Sequence, residues 1–133
     1  GISFCLPTEA QWEFAARGGN MSKGYQYSGS NTIGRVAWHC YNTSTVQPVG
    51  RKAPNELGLY DMTGNVSEWC SDWLAPYSAA AQSDPTGPDS GELRVYRDGG
   101  IGHTVEACHI SNRYGQSSDY NDEAIGLRLV MHE

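Results

Sequence analysis

Apolar positions in this chain come in short sets, and the sets differ in period. In the stretch from Glu9 to Arg17, Trp12, Ala15 and Ala16 fall at i, i+3 and i+4, one face of a helix. Thr8 stands where it can cap the N-terminus, with Gln11 three residues on to complete a capping box. Pro7 prevents an earlier start, and Gly18-Gly19 ends the helix. Val36-Ala37-Trp38 predicts a short strand inside the turn-rich stretch 20–49. Arg94-Val95-Tyr96-Arg97 and Leu127-Arg128-Leu129-Val130 alternate and predict two strands paired with each other. Between them, 98–126 shows no clear periodicity, and a loop of that length in a compact domain usually carries function. Trp69, Trp73 and Leu74 read as core, and 75–91, with Pro76, Pro85 and Pro88, as a long loop. Pro48-Val49-Gly50 and Pro54-Asn55-Glu56 punctuate the approach to the centre of the chain.

Composition narrows the class. The chain has 133 residues, enough for a single core, and 1–133 reads as one domain. With 38% hydrophobic residues and four tryptophans it can bury a core, while 16 glycines favour a loop-rich design. A net charge of −6 argues against nucleic acid or an anionic membrane as the main partner, since either would need clustered Lys and Arg. No apolar run approaches the roughly 18 residues of a spanning helix, so no membrane insertion is expected. Cys5, Cys40, Cys70 and Cys108 lack the close spacing of a zinc site and read first as buried thiols rather than disulfides.

The central stretch from Gly58 to Trp69 carries candidate chemistry. Asp61 and Glu68 flank glycine-rich backbone, a turn suited to a hard cation with oxygen ligands. A plain turn whose carboxylates cap backbone N–H groups is the alternative.

Four blocks in order carry a resemblance. They are Leu6–Gly19 (LPTEAQWEFAARGG), Gly58–Trp69 (GLYDMTGNVSEW), Arg94–Arg97 and Ile125–Val130. Together they resemble the formylglycine-generating-enzyme, or sulfatase-modifying-factor, family. The resemblance implies an α+β, irregular, loop-rich C-type-lectin-like fold. Only Gly1–Cys5 precede the first block, so the usual N-terminal part of the family domain is expected to be missing. It also implies structural calcium held by Asp61 and Glu68 carboxylates and by Met62, Gly64 and Val66 backbone carbonyls. Active members bind copper(I) through two cysteines, and soft thiolates suit that ion. In register with Arg97, Cys108 falls on the second cysteine and His103 on the first. An active chain would have to use Cys108 and His103; loss of the thiol pair speaks against copper.

Asp84-Pro85-Thr86-Gly87-Pro88, Gly91, Cys108 and Ser111-Asn112-Arg113 further resemble the variable proteins of diversity-generating retroelements. In those proteins a fixed frame carries randomised ligand-binding positions. The resemblance assigns that role to Gly102, His103, Thr104, Glu106, Ala107, His109, Asn112, Tyr114, Gly115, Gln116, Ser117, Asp119 and Tyr120. Aromatics with small polar neighbours suit a recognition surface. Cys108, Ile110 and Arg113 would be the inward supports. The expected function is a non-catalytic binding module for a protein or cell-surface ligand, on a surface-displayed or secreted protein. The alternative is a formylglycine-generating oxidase or its inactive truncated paralogue. His39, His103, His109 and His132 lack the spacing of an iron-binding, sulfoxide-forming relative.

Overall fold

The computed structural model describes residues 1–133. Helix α1 (Glu9–Ala16) begins as its sequence dictates. Gln11 N donates to Thr8 Oγ1 at 3.1 Å, and Thr8 N donates back to Gln11 Oε1 at 2.9 Å. Arg17 is its C-cap, and Gly18 follows at φ +94°. The helix buries Trp12 and Ala16. A second helix, α2 (Ile33–Val36), is a single turn. Ala37 after it is extended but belongs to no sheet, so the strand predicted at Val36–Trp38 does not form. Val36 and Ala37 are buried with Tyr27 and Cys108, and a fixed single turn delivers them there without a ladder.

Strands β1 (Ser3–Cys5), β2 (Ser67–Trp73), β3 (Arg94–Arg97), β4 (Arg113–Gln116), β5 (Ile125–Gly126) and β6 (Val130–His132) make two sheets. The larger has the order β4-β3-β2-β5, with only the β2–β5 pair parallel. The other is the β1–β6 ribbon, pairing Phe4 with Met131 and leaving both side chains exposed. The expected pairing of Arg94–Arg97 with Leu127–Val130 is therefore not made. β3 lies between β2 and β4, and the last segment divides between β2 and β1. The stretch 98–126 contains β4, which sequence reading took for loop.

One cluster, Trp12, Ala16, Met62, Cys70, Val95 and Ile110, packs α1 on the sheet. Beside it lies an ionic knot. Arg97, wholly buried, donates to Glu9 at 3.0 Å, to Glu13 at 2.6 Å and to the Asn112 carbonyl at 2.8 Å. Arg113 donates to both oxygens of the same Glu9, at 2.6 and 2.7 Å. Burial alone would raise the Glu13 carboxyl, but Arg97 and Arg17 outweigh it and hold it below its ordinary value. Buried guanidiniums need such partners, because an uncompensated charge in the interior is costly.

The four cysteines are all free. Cys70 and Cys108 are buried, as expected, whereas Cys5 and Cys40 are exposed. Trp69, Trp73 and Leu74 are only half-buried. The alternation along β2 sends Cys70 and Asp72 inward and leaves the tryptophans on the outer side.

Candidate functional site

The central turn is held by its own polar groups. Asn65, at φ +66°, accepts from Gln47 N and donates to Gln47 O, both at 2.9 Å. Gly64 sits at φ +79°, and a Cβ there would lie 2.3 Å from the Trp38 carbonyl oxygen, so only glycine fits. Gly64 N donates to Asp98 Oδ1 at 2.9 Å, which links this turn to the end of β3. Asp98 also takes Gly99 N at 2.7 Å, while its Oδ2 is buried without a partner. Burial pushes the Asp98 carboxyl well above its ordinary value.

The same turn lines a cavity of about 320 Å³ with Tyr60, Asp61, Asn65, Val66, Glu68 and Arg128 around it. Its two carboxylates differ. Asp61 takes Gly50 N on Oδ2 at 2.8 Å and leaves Oδ1 buried and unpartnered. Glu68 is fully engaged: Arg128 donates to both oxygens at 2.7 and 2.8 Å, and Trp12 Nε1 donates at 2.9 Å. Arg128 also reaches the carbonyls of Tyr60 and Asp61. Asp61 thus fits a cation ligand, while at Glu68 the guanidinium already supplies the positive charge. The Met62 side chain is buried in the core, and it is the backbone of Met62, Gly64 and Val66 that calcium would need.

The segment after β3 forms a second surface. In β3, Val95 and Arg97 point inward, which turns Tyr96 outward. The register sets Tyr96 opposite Trp69 on one side and Tyr114 on the other. Trp69 meets Tyr96 edge-on at 5.9 Å, Tyr96 stacks on Tyr114 at 5.2 Å, and Tyr114 stacks on His103 at 5.8 Å. A ladder of four aromatic rings therefore crosses the outer face of the sheet. Tyr114 is pinned by its hydroxyl, which donates to the Ala107 carbonyl at 2.8 Å.

Of the residues assigned to recognition, Gly102, His103, Thr104, Glu106, Ser117, Asp119 and Tyr120 are exposed. Ala107, His109, Asn112, Tyr114, Gly115 and Gln116 are half-buried. Gly115 has a packing duty, since a Cβ there would stand 2.6 Å from Leu74 Cδ2. His109 meets Tyr27 edge-on at 5.1 Å. Cys108 and Ile110 are buried beneath this surface, and the Arg113 guanidinium turns to Glu9. Sequence reading missed Trp69 and Tyr96 as members of the face. The alternation in Arg94–Arg97 was the available signal, because a buried Val95 requires an outward Tyr96.

Cys108 is a buried thiol. Burial pushes its thiol up to about 12, and the nearby Asp98 carboxylate adds to the effect. Its Sγ faces the Gly100 carbonyl at 4.0 Å, and the His103 ring lies on Tyr114. In the metal-free chain this environment disfavours the thiolate, the form in which a cysteine ligates a metal.

The sequence model of the sulfatase-modifying factor enzyme 1-like domain family matches residues 2–133. A protein of Paenibacillus barcinonensis named chaperone protein LppX is 37% identical over 94% of this chain and 48% of its own length. The formylglycine-generating enzyme of Streptomyces coelicolor is 39% identical over 91% of this chain and 43% of its own. Among solved structures, Treponema denticola variable protein 1 superposes with a TM-score of 0.87 at 39% identity, over 95% of this chain and 46% of that one. The chain spans about half the length of the relatives it matches. The architecture is the loop-rich, C-type-lectin-like α+β fold of these neighbours.

Proposed function

The chain belongs to the sulfatase-modifying-factor family, and from that membership we propose that residues 1–133 act as one domain, a non-catalytic module that binds ligand through its outer aromatic face. The observation that carries the reading is the division within 101–120. Cys108 and Ile110 are sealed inside, while none of the residues assigned to recognition is buried. Such a division lets binding residues change without unfolding what supports them. Likeness to Treponema denticola variable protein 1 supports diversification of this face by a retroelement. A reverse-transcriptase gene beside a near-copy of the Arg94–Arg128 coding segment would decide that point. The ligand is a protein or cell-surface structure.

The test is capture of ligand from whole cells by the purified chain. His103→Ala and Tyr120→Ala should lower capture while shifting stability by less than about 0.5 kcal/mol, as at other exposed positions. Unchanged capture in both variants would refute the reading.

The second reading is the oxidase, favoured by its likeness to the formylglycine-generating enzymes. Incubation with copper(I), oxygen and a cysteine-containing substrate peptide tests it. Formylglycine that disappears in Cys108→Ser would establish the oxidase and displace the binding module.

Calcium belongs to the proposal at the Asp61 turn only. Asp61 Oδ1 and the carbonyls of Met62, Gly64 and Val66 would hold it, with Glu68 contributing once Arg128 gives way. Its role would be to fix the turn.

A further inference from the structure

Three of the four tryptophans have a cation of this chain against the ring. Arg94 stacks on Trp73 at 3.6 Å, Lys52 lies over Trp38 at 4.3 Å, and Arg97 lies 5.3 Å from Trp12. Arg113 adds a fourth such contact, over Tyr77 at 3.8 Å. The ladder Trp69–Tyr96–Tyr114–His103 has none, although its rings are half-buried or exposed on an open sheet face.

Charge in the segment after β3 has one sign, whereas the sheet face itself carries Arg94, two residues from Tyr96, with its guanidinium already taken up by Trp73 and the Ser71 carbonyl. Between Asp98 and Leu127, Arg113 is the sole Lys or Arg, and its guanidinium is turned inward to Glu9. The same segment carries Glu106, Asp119, Asp122 and Glu123, all exposed and none in an ion pair. Asp122 accepts from the hydroxyl of Tyr120, an exposed aromatic of the recognition set, at 3.4 Å.

We infer that this face binds a basic segment of a partner protein, laying an Arg or Lys side chain along the ladder with its charged head among these carboxylates. The inference rests on the binding-module reading and names the chemical class of its ligand. Aromatic surface accepts the apolar stem and attracts the cationic head. Carboxylates at the rim steer a basic partner in and reject an acidic one. The rings are held in advance by stacking and by the Tyr114 hydroxyl, so little ordering is left to be done on binding.

The experiment selects random short peptides displayed on phage against the immobilised chain, then titrates the selected peptides calorimetrically. Two charge-matched variants are compared. One carries Glu106→Gln, Asp119→Asn, Asp122→Asn and Glu123→Gln; the other carries Asp84→Asn, Asp89→Asn, Glu92→Gln and Glu133→Gln, all exposed and outside this segment. The expected result is enrichment of Arg and Lys, with affinity falling at least about tenfold in the first variant and less than about twofold in the second. Equal losses in the two variants would mean attraction to net charge alone and would overturn the inference. Neutral or acidic peptides whose binding vanishes in His103→Ala would also overturn it, while leaving the binding module intact. Failure to select any peptide against the folded chain would overturn it as well, and whole-cell capture would then judge the module by itself.

Discussion

At the scale of single residues, Asp98 is the most exposed to test. It is buried, its Oδ1 takes two backbone N–H groups, and its Oδ2 has no donor. Its folded-state value lies well above the ordinary 3.8, so the folded state holds the proton more tightly than the unfolded chain does. The sign follows from linkage: the group favours folding most below 3.8, and that contribution is lost as pH rises toward the folded-state value. Asp98→Asn keeps the acceptor oxygen and tolerates the positive φ of 75°. It should fold and flatten the pH dependence of Tm above 3.8, measured by thermal melts across pH. An unchanged profile would remove Asp98 from the account. Gly64→Ala should cost at least about 1–3 kcal/mol in chemical denaturation, from the strained φ and the collision with the Trp38 carbonyl. Ile110→Ala, at a buried position, should cost about 2–5 kcal/mol in the same assay. These roles were unevenly legible. The left-handed needs of Gly64 were implied by the turn chemistry of its neighbours. The burial of Asp98 was not, since an Asp after a strand reads equally well as an exposed turn residue.

Among elements, α1 was the clearest in the sequence, because its cap, its face and its stop are all written within twelve residues, Thr8 to Gly19. β4 was invisible: Arg113-Tyr114-Gly115-Gln116 has no alternation of its own, and β3 supplies the pairing that makes it a strand. The end of the chain misled for a related reason. Leu127–Val130 alternates well, but Leu127 and Leu129 are exposed, and the ladder contacts fall on either side of Arg128. A periodic pattern identifies a strand-like surface and says nothing about which neighbour it meets. What fastens α1 to β3 and β4 is Glu9, serving two arginines at once. Glu9→Gln would leave Arg97 buried with only Glu13 as its counter-charge. It should cost about 3–5 kcal/mol, read as a drop in denaturant midpoint. A loss under about 1 kcal/mol would show that the guanidiniums find water or other acceptors.

For the whole molecule, the central turn and the proposed recognition face meet through Asp98, which joins Gly64 to the start of the segment that follows β3. Calcium bound only by the folded chain would add about 2.7 kcal/mol at a hundredfold excess over Kd. Chelation should then lower Tm, and Asp61→Asn should abolish the difference; a Tm indifferent to chelator in the wild-type chain would leave the turn held by its own hydrogen bonds and Arg128, without an ion. The aromatic face was partly legible at this scale. Its loop residues were named from the resemblance, whereas Trp69 and Tyr96 emerged only when the sheet register set three strands side by side.

Cys108 gives this division of labour a clock. Cys5 and Cys40 stand in solvent, whereas Cys108 lies under Gly99, beneath the recognition loop. A thiol reagent should therefore modify two sulfurs at once and wait for opening events to reach Cys70 and Cys108, the latter followed by itself in a Cys70→Ala variant. The waiting time measures how often the loop lifts off its support. Across a panel of chains carrying different side chains at the exposed positions, that time should hold steady. Such constancy would mean that the face can be rewritten many times over on a substratum that does not notice.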